Sequence, residues 1–233
     1  MNIIVTGASR GIGYELVKWF ARQGKHNILA LSRNKSKLQN LQLEATKDGS
    51  SRVFVLPFDL VNESFQDDLL PFIRAHLPRV DVLVNNAGLL INKAIEDSSD
   101  DDFDRQFDVN IKGPFKLVRG LHEMFSENAH IVNITSMGGY QGSMKFPGLG
   151  IYSASKAAVA VFTEALAEEW KDRKVFVNAL ALGAVQTEML SEAFPQMTVD
   201  TQPADMAAYI GDFALNGHHF FNGKILPVTN STP

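Results

Sequence analysis

The chain has 233 residues, 45% of them hydrophobic and 21% charged, enough for one large core with no second domain required. A formal net charge of −4 argues against nucleic acid as a partner, because phosphate neutralisation needs a basic surface. The absence of cysteine excludes disulfides and thiolate chemistry and fits a reducing, cytoplasmic setting.

Asn2-Ile-Ile-Val-Thr6 enters a strand at once, which argues against a signal peptide. Further short aliphatic runs follow at 27–31, 53–56, 80–84, 131–134, 175–181 and 224–228, each rich in Val, Ile and Leu, as strands buried on both faces are. Between them lie helix-like stretches at 11–23, 35–47, 63–76, 103–125, 153–171 and 204–215. No apolar run reaches the ~18 residues of a membrane span, so no membrane partner is expected. Regular alternation predicts an α/β fold: a doubly wound, parallel, seven-stranded Rossmann-like sheet with helices on both faces, in three α/β/α layers. With no linker or repeat, residues 1–233 read as a single domain.

The first strand runs into Thr6-Gly-Ala-Ser-Arg-Gly-Ile-Gly13 and then directly into helix. Gly7, Gly11 and Gly13 remove side chains where a backbone turns sharply toward a pyrophosphate, and the helix beyond offers N–H groups and a positive dipole end. The spacing is Gly-x-x-x-Gly-x-Gly rather than the common Gly-x-Gly-x-x-Gly. The second strand ends in Leu31-Ser-Arg-Asn34, where an NAD site would place an acid for the ribose hydroxyls. Arg33 stands there instead, and Arg10 lies inside the loop. Guanidinium groups bind a 2′-phosphate bidentately, so NADP(H) is expected in preference to NAD(H).

Asp97-Ser-Ser-Asp-Asp-Asp102 precedes a long helix, where acids suit the positive dipole end and serine or aspartate caps free N–H groups. No metal site is expected from it, nor from His218-His219, which lack further ligands nearby in sequence. Trp19 and Trp170 lie in helices and read as packing residues. Tyr152 and Lys156 stand four residues apart in an alanine-rich helix, hence on one face. An ammonium one turn from a phenol favours the phenolate and lowers its pKa, making Tyr152 a candidate general acid/base.

Together these residues resemble the short-chain dehydrogenase/reductase family over nearly the whole chain. Thr6-Gly-x-x-x-Gly-Ile-Gly13 is similar to its cofactor loop, Asp59-Leu60 to its adenine-contacting pair, and Asn85-Asn-Ala-Gly88 to its cofactor-lining motif. The resemblance implies cofactor contacts from Gly7, Ser9, Arg10, Gly11, Ile12 and Gly13 in the loop, and from Ser32 and Arg33 after the second strand. Asp59, Leu60, Asn86, Ala87 and Gly88 would follow, then Gly183, Val185 and Thr187 beyond the sixth strand. It implies catalytic roles for Ser136, Tyr152, Lys156 and Asn110. Tyr152 donates a proton to a carbonyl oxygen, Ser136 stabilises that oxygen, and Lys156 binds the nicotinamide ribose. Asn110 holds a water that links Lys156 to solvent. Each has a structural alternative: Ser136 as a turn cap, Asn110 as a backbone partner, Thr187 as a helix cap.

The implied activity is NADP(H)-dependent hydride transfer on a small carbonyl or alcohol substrate, by a homo-oligomer (dimer or tetramer). The competing reading is a catalytically inactive dinucleotide-sensing or interaction protein on the same fold. Three departures from the family pattern stand out. Leu182-Gly183 replaces Pro-Gly, which predicts a more adaptable turn. Ser136 and Tyr152 lie sixteen residues apart, a wide loop offering Met137, Tyr140, Gln141, Met144 and Phe146 to a pocket mouth. The last strand lacks a terminal glycine pair in 224–233. Residues 187–203 fall where the resemblance places a substrate loop, and Met189, Leu190, Phe194 and Met197 give it an apolar side.

Overall fold

Seven strands form one parallel sheet in the order β3-β2-β1-β4-β5-β6-β7 in the computed structural model, which describes residues 1–47 and 50–230. The strands are β1 (Asn2–Thr6), β2 (Asn27–Ser32), β3 (Arg52–Pro57), β4 (Val80–Asn85), β5 (Phe125–Ser136), β6 (Phe176–Leu182) and β7 (Ile225–Val228). The helices are α1 (Gly11–Arg22), α2 (Lys35–Lys47), α3 (Leu70–His76), α4 (Asp100–Phe107), α5 (Gly113–Leu121), α6 (Gly150–Glu169), α7 (Glu188–Ala193) and α8 (Pro203–Asn216). This is the expected Rossmann-like arrangement. The last three residues of the glycine-poor C-terminus, 231–233, lie outside the described residues.

Period-two side-chain alternation splits strands β1 to β6 between two cores. Ile3 and Val5 pack with Leu16, Val17, Phe20, Leu38, Leu41, Met206 and Ile210 of α1, α2 and α8. Ile4 packs instead with Leu70, Ile73, Leu117, Leu121, Leu166 and Trp170, toward α3, α5 and α6. Trp19 meets Phe20 edge-on and Trp170 lies against Phe125, so both tryptophans are packing residues as expected. Chain order reverses between β1 and β4, so Thr6, Asn85, Ser136 and Leu182 bring their strand ends to one crevice. That crevice, outside the carboxyl ends at the reversal, is where doubly wound sheets bind ligands.

Two expected helices are broken. The stretch 103–125 divides into α4, a π-helical turn Asp108–Lys112 and α5, and Phe125 begins β5 instead of ending a helix. The stretch 63–76 opens with a π-helical turn Phe65–Leu69 before α3. Both π turns run straight into a proline, Pro114 or Pro71, in the first turn of the next helix. Proline cannot donate the i→i−4 bond and crowds the preceding turn, so the wider i→i−5 bonds Gly113 N–H to Asp108 O and Leu70 N–H to Phe65 O take over. The first of these turns carries Asn110.

Candidate active site

The glycine loop is built by close approach. Gly7 and Gly11 have φ of +70° and +56°, and a methyl on Gly7 would stand 2.8 Å from Ala87 Cα. Gly13 lets α1 start directly against the loop: its methyl would meet Asn86 Nδ2 at 2.5 Å. Asn86 staples the β4 end to the loop, donating from Nδ2 to Thr6 O at 2.9 Å. Thr6 Oγ1 accepts the N–H groups of Asn86 and Ala87 at 3.1 and 3.0 Å. The first turn of α1 has no side-chain cap and no acid. Its N–H groups and positive dipole end therefore suit an anion, and the loop fits a dinucleotide pyrophosphate.

Ser32 donates to Ser9 at 2.7 Å, tying the β2 end to the loop. Arg33 is exposed beside them. Asp59 accepts from Val61 N–H and Asn62. Burial pushes its carboxyl up, but these bonds and the Arg33 charge outweigh burial and hold it below the usual range. Arg10, read as a partner for a phosphate, forks onto both carboxylate oxygens of Glu192 in α7, with Nη2 to Oε2 at 3.0 Å. The two arginines thus face different neighbours.

Ser136 ends β5, and its hydroxyl oxygen accepts the Gly138 N–H at 3.1 Å while bonding the Tyr152 phenol. Gly138-Gly139 press onto α6 so closely that a methyl on Gly139 would stand 2.6 Å from Ala157 N. Lys156 is 4% exposed, and its Nζ donates to Ile134 O at 2.9 Å. Thr135 Oγ1 donates to Lys156 O at 2.6 Å, pinning that turn of α6 to β5. Burial raises the Tyr152 phenol to about 12, partly offset by the Ser136 bond, and lowers Lys156 to about 8. The sequence predicted a phenol lowered by its lysine. Desolvation wins instead, because Tyr152 is 9% exposed and Lys156 Nζ lies 5.9 Å from its ring centre.

Asn110 is buried, accepting Leu89 N–H at 2.8 Å and donating to Leu89 O and Ser155 Oγ at 2.9 Å each. A methyl on Gly88 would stand 3.3 Å from Lys156 Nζ and 3.5 Å from Asn110 Oδ1, so all three groups share one corner. Behind them runs a buried polar chain, Asn85 Nδ2 to Asn133 Oδ1 at 2.8 Å and Asn133 Nδ2 to Thr163 Oγ1 at 2.9 Å.

A family model described as short chain dehydrogenase matches residues 1–198. The chain belongs to the short-chain dehydrogenase/reductase family of oxidoreductases. An uncharacterized oxidoreductase of Staphylococcus aureus is 32% identical over 206 residues, covering 88% of this chain and 86% of that protein. A short-chain dehydrogenase from Shigella flexneri, solved with NADP, superposes with a TM-score of 0.87 at 27% identity, covering 97% and 95% of the two chains. A 4-hydroxyisoleucine dehydrogenase solved with NADH does so with a TM-score of 0.84 at 26% identity, covering 99% and 97%.

The departures from the family pattern take definite shape. Leu182 is buried at the end of β6, paired with Ser136 and Val228 and packed in the core, so it is no loosened turn. Val185 is also buried, and Gly183 N–H donates to Val228 O at 3.0 Å. Thr187 caps α7 by accepting Leu190 N–H at 3.3 Å, and its methyl faces Gly11. Leu60 packs against Gly113, and Ile12 against the α1-side core. In the wide loop Met137 and Tyr140 are half-buried, while Gln141, Met144 and Phe146 are exposed.

The sequence assigns α7 no range and points to it only through Thr187 as an alternative helix cap. The signal available was Thr187-Glu188 followed by Met189 and Leu190, a capping residue, a first-turn acid and apolar neighbours. Asp102 closes a capping box with Ser99 and pairs with Lys93 at 2.7 Å, so the acidic run serves a helix start as read. The structure also brings His130 beside His218, ring centres 5.6 Å apart, a proximity with no sequence signal. Among the described residues no group of three metal-ligating side chains occurs, and no helix is long and apolar enough to cross a membrane.

Proposed function

We propose that this protein is an NADP(H)-dependent oxidoreductase that interconverts a small carbonyl compound and its alcohol, with Tyr152 as general acid/base. The observation that carries the reading is the joint placement of Ser136, Tyr152 and Lys156 at the end of β5 and the start of α6, beside the glycine loop. When bound, the reduced nicotinamide supplies the hydride that forms the new C–H bond. A phenol held near 12 is neutral at pH 7 and so carries the proton a developing alkoxide needs. Ser136, whose oxygen accepts the Gly138 N–H and whose hydroxyl bonds the Tyr152 phenol, stands where it can stabilise the same developing charge. Lys156 stays largely protonated at pH 7 and has donors beyond Ile134 for ribose hydroxyls. Asn110 positions the Gly88–Leu89 turn beside Lys156, and the second lone pair on Oδ1 is left for the water of a proton path.

Preference for NADP(H) is supported by Arg33 in Leu31-Ser-Arg-Asn34, where the β2 end carries no acid of its own, and by the NADP bound to the Shigella relative. The NADH bound to the 4-hydroxyisoleucine enzyme shows that the fold itself does not decide the question. Met189, Leu190 and Phe194, half-buried along 187–203, suit a hydrophobic substrate. Self-association and a cytoplasmic location belong to the same proposal. Exposed Phe103, Phe115 and Val161 on α4, α5 and α6 offer an apolar face to a second copy, which light scattering tests.

The deciding experiment is a panel of ketones and aldehydes followed by NADPH absorbance, with NADH in parallel and Tyr152→Phe as control. Turnover that survives Tyr152→Phe would overturn the mechanism, and a clear NADH preference the cofactor assignment. Tight NADPH binding with no turnover on any substrate would favour the sensing protein.

A further inference from the structure

Helix α7 crosses the mouth of the crevice, with polar ties near its far end. Glu192 forks onto Arg10 of the cofactor loop, and the Ala193 carbonyl accepts Asn92 Nδ2 at 2.9 Å from the segment after β4. The near end rests on Thr187, whose methyl stands over Gly11. Glu188 lies beside Arg10 as well, and both carboxylates act on its guanidinium. The Arg10–Glu192 pair joins positions 182 residues apart.

Bidentate pairing consumes one whole edge of a guanidinium, the same edge and geometry that a phosphate takes. The Glu192 carboxylate and a phosphate therefore compete for that edge of Arg10. Replacing a carboxylate by a phosphate monoester also brings roughly two negative charges next to Glu188 and Glu192, which are then repelled from the loop. Lys37 on α2 faces Glu192 and offers the displaced carboxylate another cation.

Building on the NADP(H) reading above, we propose that Glu192 is a specificity-determining residue that holds Arg10 until the cofactor 2′-phosphate displaces it, which releases α7. Engagement of the cofactor is thereby coupled to opening of the substrate loop, and a cofactor without the 2′-phosphate leaves α7 latched. The carboxylate lowers the affinity of the site for the phosphate and in return makes loop release depend on it.

Cofactor fragments lacking nicotinamide give the test, read by calorimetry on the full chain: adenosine 2′,5′-bisphosphate, ADP and 5′-AMP, for wild type, Glu192→Gln and Arg10→Ala. Glu192 is largely exposed, so its amide variant keeps the fold, which a melting curve checks. Glu192→Gln is expected to tighten the bisphosphate roughly two- to fivefold, the scale of an exposed ion pair, with ADP and AMP unchanged. Hydrogen exchange at the Leu190 and Phe194 amides is expected to rise in wild type with the bisphosphate and not with AMP. Unchanged bisphosphate affinity in Glu192→Gln overturns the proposal. So does equal tightening of ADP, which would assign Arg10 to the pyrophosphate. The NADP(H) reading fails separately if wild type binds the bisphosphate no better than AMP.

Discussion

Lys156 Nζ stands 5.9 Å from the centre of the Tyr152 ring while its hydrogen bond goes to the Ile134 carbonyl. Both groups are buried, which keeps the phenol protonated, near 12, and brings the ammonium down to about 8. Carbonyl reduction is therefore expected to hold steady through neutral pH and to fall above about pH 8, as Lys156 loses its charge. Alcohol oxidation, which needs the phenolate, should climb with pH. A kcat/KM profile for reduction that stays flat from pH 7 to 10 would contradict this.

Ser136 bonds the phenol and lowers its pKa against the effect of burial. Ser136→Ala should cost about 10²–10³-fold in kcat, the usual loss of one oxyanion donor. It should also move the alkaline limb of the oxidation profile upward. A loss in KM alone, with the limb unmoved, would show that Ser136 only shapes the substrate pocket.

Two glycines separate stability from function. Gly13→Ala puts a methyl against the Asn86 amide in the glycine loop, whereas Gly211→Ala puts one 2.5 Å from Trp19 Cζ3, where α8 packs on α1. Overpacking of this kind costs about 1–3 kcal/mol. Melting temperatures should fall in both variants, but NADPH binding, followed by fluorescence, should be lost only in Gly13→Ala.

Burial of His130 holds its imidazole near pH 4, below the ordinary value of 6.5, despite a bond to Ala214 O. Between these values the unfolded chain binds a proton that the fold refuses. Stability should fall as pH drops from about 6.5 to about 4, by up to ~3 kcal/mol, with no further loss from this group below that range. Urea midpoints at pH 7 and 4.5 measure the change. An NMR titration of His130 near 6.5 in the folded protein would refute it.

Ser99 caps α4 by accepting Asp102 N–H, and Asp102 closes the box by accepting Ser99 N–H. Ser99→Ala should cost about 1 kcal/mol in chemical denaturation. Divalent cations should not restore the loss, and restoration by calcium or magnesium would revive a metal role for the acidic run.

The sequence by itself determined the strands, the doubly wound sheet and the order of the motifs. Val-Ile-Leu runs buried on both faces and glycines at obligatory turns are local properties of consecutive residues. The Tyr152/Lys156 pair and its Ser136 partner were legible for the same reason, since helical spacing and strand ends follow from position along the chain. The tertiary structure alone decided the charge states and the partners. Spacing alone predicts that Lys156 lowers the Tyr152 pKa, yet desolvation depends on every element packed around the pair. Arg10 read as a free cation, but Glu192 reaches it from 182 residues away. The π turns before Pro71 and Pro114 and the meeting of His130 with His218 likewise arise from packing between elements, which no local pattern records.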